Sequence, residues 1–253
     1  MVPVLFLALL GLLLDPRILT AVPIWLKPAK FAISISLYTL TLAWIFQYLP
    51  EWPRLRRVTG WITAISMVIE MVIVGLQAAR GKTSHFNYAT LLDSALFSIM
   101  AVAILIAWFA SIAITAALFR QQFADPVMGW ALRIGLLISL IGAGVGGLMT
   151  APTSAQLADA KVTHQMPVVG AHTVGAPDGG PGIPGTGWSR EHGDLRVAHF
   201  FGLHAVQFLP LIAWLLRPRR ASTIIVAGSA YALLFAIALA QALMGHPFLG
   251  GLL

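Results

Sequence analysis

Long apolar stretches alternate with short polar segments along the whole chain, and most of the stretches reach the length needed to cross a bilayer. A helix needs about 20 predominantly apolar residues to span the hydrocarbon core. The pattern therefore predicts an all-α, polytopic membrane helix bundle of about seven transmembrane helices. Their predicted ranges are 2–15, 29–49, 58–79, 89–119, 127–149, 195–216 and 222–245.

The first predicted helix is the shortest of the set. Asp15 precedes Pro16, and proline disfavours helical geometry in the residue before it. A six-span arrangement, with the N-terminal segment lying in the membrane interface, therefore stays open. The segment has no basic leader or small-residue cleavage site, so we expect it to be part of the structure rather than a signal peptide.

Composition supports a membrane protein and narrows the chemistry. Hydrophobic residues make up 58% of the chain and charged residues 10%, whereas a soluble domain has about a quarter charged residues. We expect one integral membrane domain over residues 1–253, with the lipid bilayer and possible membrane subunits as its partners. The chain has no cysteine, which excludes disulfides and thiolate metal ligands. No nucleic-acid motif accompanies the net charge of +7.

Arginines in short loops predict the orientation. They are Arg54, Arg56, Arg57, Arg120, Arg217, Arg219 and Arg220. Basic residues in short loops are retained in the cytoplasm, so the N-terminus is predicted to be cytoplasmic and loops 16–28, 80–88 and 150–194 extracytoplasmic. Basic residues also occur in the three outer loops, which weakens this bias. The 150–194 loop is rich in glycine and proline, as in lids, binding loops or flexible connectors.

Polar residues fall on single faces of several predicted helices when projected at about 100° per residue. Lipid cannot satisfy such faces, so we expect them to face one another inside the bundle. The face on predicted helix 58–79 comprises Thr59, Thr63, Ser66, Glu70 and Gln77. The face on predicted helix 195–216 comprises Arg196, His199, His204 and Gln207.

The rise of about 1.5 Å per residue assigns depths to these groups. Glu70 and His204 both fall roughly 13 Å inside the outer boundary, and Asp93 and His199 roughly 6 Å inside it. The sequence thus predicts an outward-facing polar cleft, with Glu70 and His204 facing each other at its floor. The other predicted cleft residues are Lys27, Lys30, Gln77, Arg80, His85, Asn87, Arg196 and Gln207.

Two kinds of chemistry fit such a cleft. Imidazole and carboxylate ligands suit zinc, copper or non-haem iron, and one of His199 and His204 could be an axial haem ligand. The candidate metal ligands are His199, His204, Glu70, Asp93 and His85. The two helical histidines lie about 140° apart, so they do not form the usual i,i+4 chelating pair. Alternatively, an ionisable group near the bilayer centre indicates a proton or ion pathway.

Three functional hypotheses remain open at this level, and whether the chain is an enzyme is undecided. The first is a haem- or metal-binding redox protein with its site at the histidines. The second is a proton- or ion-coupled transporter or channel that uses Glu70 and His204. The third is a structural accessory subunit, in which Glu70 forms an ion pair that only fixes helix packing.

Three segments carry a resemblance to known sequences. They are PIWLKPAKFAISISLY, QAARGKTSHFNYATLLD and GTGWSREHGDLRVAHFFGLHAVQ. With these motifs the chain resembles a family of uncharacterised bacterial multi-pass inner-membrane proteins. The resemblance implies a bacterial inner-membrane location and a site near the three motifs. It implies no activity and no catalytic residue.

Overall fold

The fold is a bundle of α-helices, as the sequence predicts. The computed structural model describes residues 1–248. Helices α1 to α8 are, in order, Val2–Leu14, Leu26–Ile45, Pro53–Ala79, Leu91–Arg120, Pro126–Met149, Ser154–Thr163, Leu195–Leu216 and Ala221–Leu243. A short 3₁₀-helix, Phe46–Tyr48, continues α2. Large apolar side chains remain exposed along the outside of the bundle, where lipid would cover them.

Two small antiparallel ladders lie in the connections between helices. Strands β1 (Ile18–Leu19) and β2 (Val22–Pro23) pair in the turn between α1 and α2. Strands β3 (Thr173–Val174) and β4 (Gly193–Asp194) pair at the two ends of the glycine-rich loop that precedes α7. The second ladder therefore anchors that loop directly to the start of α7.

Within residues 1–248, six helices are long and apolar enough to cross a membrane: α2, α3, α4, α5, α7 and α8. Helix α1 has 13 residues and is about 20 Å long, which is shorter than the hydrocarbon core of about 30 Å. The six-span arrangement therefore describes the structure better than the seven-span one.

Helix α1 folds back along the N-terminal half of α2. Trp25 packs its ring against Gly11 and donates from Nε1 to Asp15 Oδ2 at 2.8 Å, which locks the α1–α2 turn. At the other end, Met1 packs against the small cluster that contains Ile35 and Met71. Because Ile35 lies in the middle of α2 (Leu26–Ile45), α1 begins level with the middle of that helix.

The closest helix packing is between α5 and α7. A Cβ atom added to Gly142 would collide with the backbone of Gly202, so the two backbones are in direct contact. The hydroxyl of Ser139 donates to the carbonyl of Leu203 at 3.0 Å across the same interface. Small residues such as these let helix backbones approach closely.

The connections separate onto two faces of the bundle. On one face, Arg17 donates to the carbonyl of Ala79 at 3.2 Å, and the amide of Tyr88 donates to the carbonyl of Pro167 at 2.8 Å. Segments 15–25, 80–90 and 150–194 therefore join into one structure, which we call the cap. The turns and helix ends on the opposite face carry the seven arginines named above, and we call it the arginine-rich face.

The largest differences from the predicted helices lie at the start of α3 and in the 150–194 segment. Helix α3 begins at Pro53 rather than at residue 58, because proline is favoured in the first turn of a helix. Helix α6 lies inside the segment predicted as a loop. Its start is fixed by a capping box between Thr153 and Gln156, a T-x-x-Q signal that was visible in the sequence.

Candidate functional site

The polar face of α3 lies in the interior of the bundle, as the periodicity predicts. Its five members are Thr59, Thr63, Ser66, Glu70 and Gln77, and none is more than 4% exposed. Glu70 is nine residues before the end of α3 at Ala79, which places it about 13 Å below that end. Glu70 is the acidic member of this face, and its carboxylate is buried deep in the bundle.

Glu70 contacts a histidine of the cap rather than a histidine of α7. His85 Nε2 lies 3.4 Å from Glu70 Oε1. The other carboxylate oxygen, Oε2, is buried and has no hydrogen-bond partner. Within the described residues no ion pair joins Glu70 to His204, so the predicted Glu70–His204 pair is replaced by Glu70–His85. We call these two residues the Glu70–His85 site.

His85 reaches Glu70 because the 83–87 segment folds back toward the bundle. Phe86 has a φ of 62°, a left-handed conformation that reverses the chain. The His85 ring then lies among Phe31, Phe86 and Phe97, with ring centroids 5.7 to 6.0 Å away. Its Nδ1 is 3.0 Å from the hydroxyl of Ser84.

This environment keeps His85 uncharged at neutral pH. Burial, reinforced by the positive charge of Lys27 and only partly opposed by Glu70, lowers the pKa of His85 to about 4. A neutral imidazole has one N–H and one acceptor nitrogen. With Nε2–H directed at Glu70, Nδ1 accepts from Ser84, so the ring links the carboxylate to a hydroxyl of the cap.

Asp93 is part of a separate, fully bonded cluster. Its Oδ1 accepts from Gln77 Nε2 at 2.9 Å and from Arg80 Nη1 at 2.8 Å, and its Oδ2 accepts from the hydroxyl of Thr90 at 2.7 Å. These bonds tie the end of α3 to the start of α4. The predicted cleft residues Gln77, Arg80 and Asp93 are therefore brought together, in an arrangement that clamps two helices.

Asn87 has a local role in the turn before α4. Its side-chain amide donates to the carbonyl of Thr83 at 3.1 Å, and its side-chain oxygen accepts from the amide of Ala89 at 3.1 Å. It also forms an isolated bridge with Val168. Asn87 thus shapes the segment that carries His85 and attaches it to the rest of the cap.

Arg196 and Lys30 hold the glycine-rich loop from two sides. Arg196 pairs with Asp194 at 2.6 Å and donates from Nη2 to the carbonyl of Gly187 at 2.6 Å. Lys30 Nζ donates to the carbonyl of Thr186 at 2.7 Å. Adjacent loop carbonyls are therefore bound by cations from α7 and α2, which places the start of both helices beneath the loop.

Sequence inspection missed a histidine–aspartate pair in the cap. His172 Nδ1 lies 2.6 Å from Asp178 Oδ2, and the ring of His172 packs on Phe86 at 4.9 Å. Burial lowers the pKa of His172. Burial alone would raise the pKa of Asp178, but its hydrogen bonds from His172 and Thr173 lower it overall. The pair is thus a neutral imidazole bound to a carboxylate, and the H-x-x-x-x-x-D spacing gives no recognisable motif.

The two helical histidines have different surroundings. His199 Nδ1 lies 2.8 Å from the carbonyl of Gly142, so this ring packs on α5. His204 Nδ1 lies 3.2 Å from Gln207 Oε1, and its ring is 4.4 Å from Phe200. Gln207 in turn donates to the hydroxyl of Thr41 on α2 at 3.3 Å. The polar face of α7 therefore contacts both α5 and α2.

The candidate metal ligands are not gathered at one point. Within residues 1–248, no group of three or more histidine, aspartate or glutamate side chains could hold a metal ion. His85 and Glu70 lie together, whereas Asp93 is bound to Gln77, Arg80 and Thr90, and His199 and His204 have the separate partners described above. No contact among residues 1–248 supports the haem and transition-metal hypotheses, which stay predictions.

Comparison with known proteins leaves the family open. The chain matches no protein-family model, no curated protein and no solved structure. The fold and the candidate site define it as a multi-pass helical membrane protein, and its function has to be inferred from its own residues.

Proposed function

We propose that this chain is a proton-coupled membrane transporter in which Glu70 takes up and releases the proton. The observation that carries the proposal is the buried carboxylate with one oxygen at His85 Nε2 and the other without any hydrogen bond. An ionisable side chain inside a membrane bundle is costly and marks substrate or proton pathways. A carboxylate that only fixed helix packing would be fully bonded, as Asp93 is.

The surroundings of Glu70 suit a reversible change of charge. Neutral His85 does not neutralise the carboxylate, and Lys27 supplies the nearby positive charge that acts most strongly on His85. Because only one carboxylate oxygen of Glu70 has a partner, the side chain loses few interactions when it binds a proton. His85 and Ser84 link the carboxylate to the cap, which gives the proton a route toward that face.

The cap is proposed to be extracytoplasmic and the arginine-rich face cytoplasmic. The support is the concentration of arginines in short turns of one face, which is typical of cytoplasmic loops. With six spans, the segment before α2 lies on the cap side of the membrane. The proposal therefore does not include the cytoplasmic N-terminus that was expected for seven spans. The bacterial inner-membrane location implied by the resemblance stays a prediction.

Infrared difference spectroscopy between alkaline and acidic pH tests whether Glu70 exchanges a proton. We expect a protonated-carboxyl band in the wild-type protein that Glu70→Gln removes. Glu191→Gln is the matched control, since Glu191 is exposed in the cap, and it should leave the band unchanged. If wild type and Glu70→Gln give the same carboxyl bands, Glu70 holds a fixed charge and the structural-subunit hypothesis replaces this one.

A flux measurement tests transport itself. Proteoliposomes that contain a pH-sensitive dye would be challenged with sodium, potassium, acetate, succinate or phosphate while the membrane potential is clamped. We expect a solute-dependent change of internal pH that Glu70→Gln abolishes and Glu191→Gln preserves. A response of equal size in Glu70→Gln would contradict the role of Glu70.

A further inference from the structure

Two lysines and an arginine meet beneath the glycine-rich loop. Lys27 and Lys30 are three residues apart in the first turns of α2, so they lie on neighbouring positions of one helix face. Lys30 and Arg196 bind the adjacent carbonyls of Thr186 and Gly187. The junction of α2, α7 and the loop therefore holds three positive charges.

Of these three cations, the two lysines form no ion pair with a carboxylate. Asp194 neutralises Arg196 through bonds to Nε at 2.9 Å and to Nη2 at 2.6 Å. Within residues 1–248, neither Lys27 nor Lys30 has a carboxylate oxygen within 4.0 Å. The ammonium of Lys27 lies 5.6 Å from the centre of the Phe31 ring, and Lys30 contacts a neutral carbonyl.

We propose that Lys27 and Lys30 bind a small soluble oxyanion, a carboxylate or phosphate, beneath the glycine-rich loop. The oxyanion would be the solute that is transported with the proton of Glu70, so this inference rests on the proposed function. Two partly buried ammonium groups with no carboxylate oxygen in direct contact attract an anion strongly, because charges interact more strongly away from bulk water. An ammonium has three donors, so Lys30 can keep Thr186 and still bind the ligand. The same two charges repel a cation, which disfavours sodium or potassium as the solute.

The position of the lysines explains how anion and proton would be coupled. Lys27 packs on Phe31, Phe31 packs on His85, and His85 contacts Glu70. In the empty site the charge of Lys27 compensates that of Glu70. A bound anion neutralises Lys27 in place of Glu70. Glu70 then binds a proton, and the net charge of the site is unchanged. The other ionisable groups facing the site are His172 with Asp178 and Arg196 with Asp194.

Calorimetric titration of the purified full-length protein in detergent tests the binding site. The probes are acetate, succinate, inorganic phosphate and chloride at constant ionic strength. We expect at least one oxyanion to bind saturably and more tightly than chloride, with affinity reduced at least about tenfold in Lys27→Met. Lys82→Met is the matched control, since Lys82 is exposed on the cap face, and it should bind as the wild type does.

Several outcomes would overturn the site. One is the absence of binding by all four anions, and another is equal affinity in Lys27→Met and wild type. Preference for chloride would exclude an oxyanion site. A fifth probe, short-chain phosphatidylglycerol, distinguishes the source of the phosphate, and binding of this lipid alone would show a headgroup contact instead of a solute site. Lys30→Met, with the same expected loss, replaces Lys27→Met if the latter does not fold.

Proton uptake separates this inference from the proposed function. Titrations in buffers with different ionisation enthalpies report the protons taken up on binding. We expect about one proton per anion in the wild type and none in Glu70→Gln, which should still bind the anion. Binding without proton uptake would leave the anion site standing and contradict the coupling. A Glu70-dependent infrared band without anion binding would contradict the anion site and leave the proton role standing.

Discussion

At the scale of single residues, Glu70 and Asp93 show how differently two buried carboxylates can be used. Both are at most 3% exposed, and both lie at the α3–α4 side of the cap. Asp93 accepts three hydrogen bonds from side chains and joins two helices. Glu70 keeps one oxygen unbonded and contacts a histidine that burial keeps neutral. This difference, rather than burial itself, marks Glu70 as the functional group.

The lowered pKa of His85 predicts how stability depends on pH. The folded protein binds this proton near pH 4, whereas the unfolded chain binds it near the ordinary value of 6.5. As pH falls through 6.5 the unfolded state therefore binds the proton first, and stability decreases until about pH 4, where the effect levels off. The loss from this group is up to about 3 kcal/mol.

Thermal unfolding in detergent at a series of pH values checks this prediction. The midpoint should fall between pH 6.5 and 4, and His85→Gln should reduce the slope in that window. Part of the slope should remain, because burial also lowers the pKa of His172. His246→Gln is the control, since His246 is exposed. An unchanged slope in His85→Gln would show that His85 is not the buried neutral group described above.

At the scale of helices, the α5–α7 contact is the most sensitive to side-chain volume. Gly142→Ala would place a methyl group against the backbone of Gly202, and neither backbone can move without separating the two helices. We expect a loss of about 1–3 kcal/mol, the usual cost of overpacking. The matched control is Gly144→Ala on the same helix, where nothing lies within 4 Å of the added atom.

Only Gly142→Ala should lower the unfolding midpoint. Alanine is a better helix former than glycine by up to about 1 kcal/mol, so Gly144→Ala should be neutral or slightly stabilising. Chemical denaturation of the detergent-solubilised protein, followed by circular dichroism, measures both. Equal effects of the two substitutions would mean that α5 and α7 are not in backbone contact at Gly142.

Helix faces could be predicted from the sequence, but contacts made by loops could not. The face Thr59 to Gln77 was predictable because a period of 3.6 residues places it on one side of α3, and lipid cannot satisfy polar groups. The Glu70–His85 contact depends on a reversal at Phe86, which no periodicity encodes. For the same reason the sequence prediction placed Glu70 opposite His204, a residue of another helix with a similar calculated depth.

At the scale of the whole molecule, charge is distributed unequally between the two ends of the bundle. The turns and helix ends of the arginine-rich face carry Arg54, Arg56, Arg57, Arg120, Arg217, Arg219 and Arg220, with Glu51 and Asp125 as their acidic residues. On the cap face three arginines are paired with acids, as Arg17–Asp15, Arg80–Asp93 and Arg196–Asp194, whereas Lys27 and Lys30 form no such pair within residues 1–248. Basic residues in or beside short turns resist translocation, and nearby acids change this little, so the proposed orientation rests on the seven arginines of the arginine-rich face.

Single cysteines provide a direct test of that orientation, because the natural chain contains none. Lys161→Cys places a thiol at an exposed position of α6 in the cap, and Glu51→Cys places one at an exposed turn of the arginine-rich face. A membrane-impermeant maleimide should label Lys161→Cys in intact cells and Glu51→Cys only after permeabilisation. Labelling in the reverse pattern would place the cap in the cytoplasm. The anion beneath the glycine-rich loop and the proton at Glu70 would then enter from inside the cell, and the proposed direction of access would be inverted.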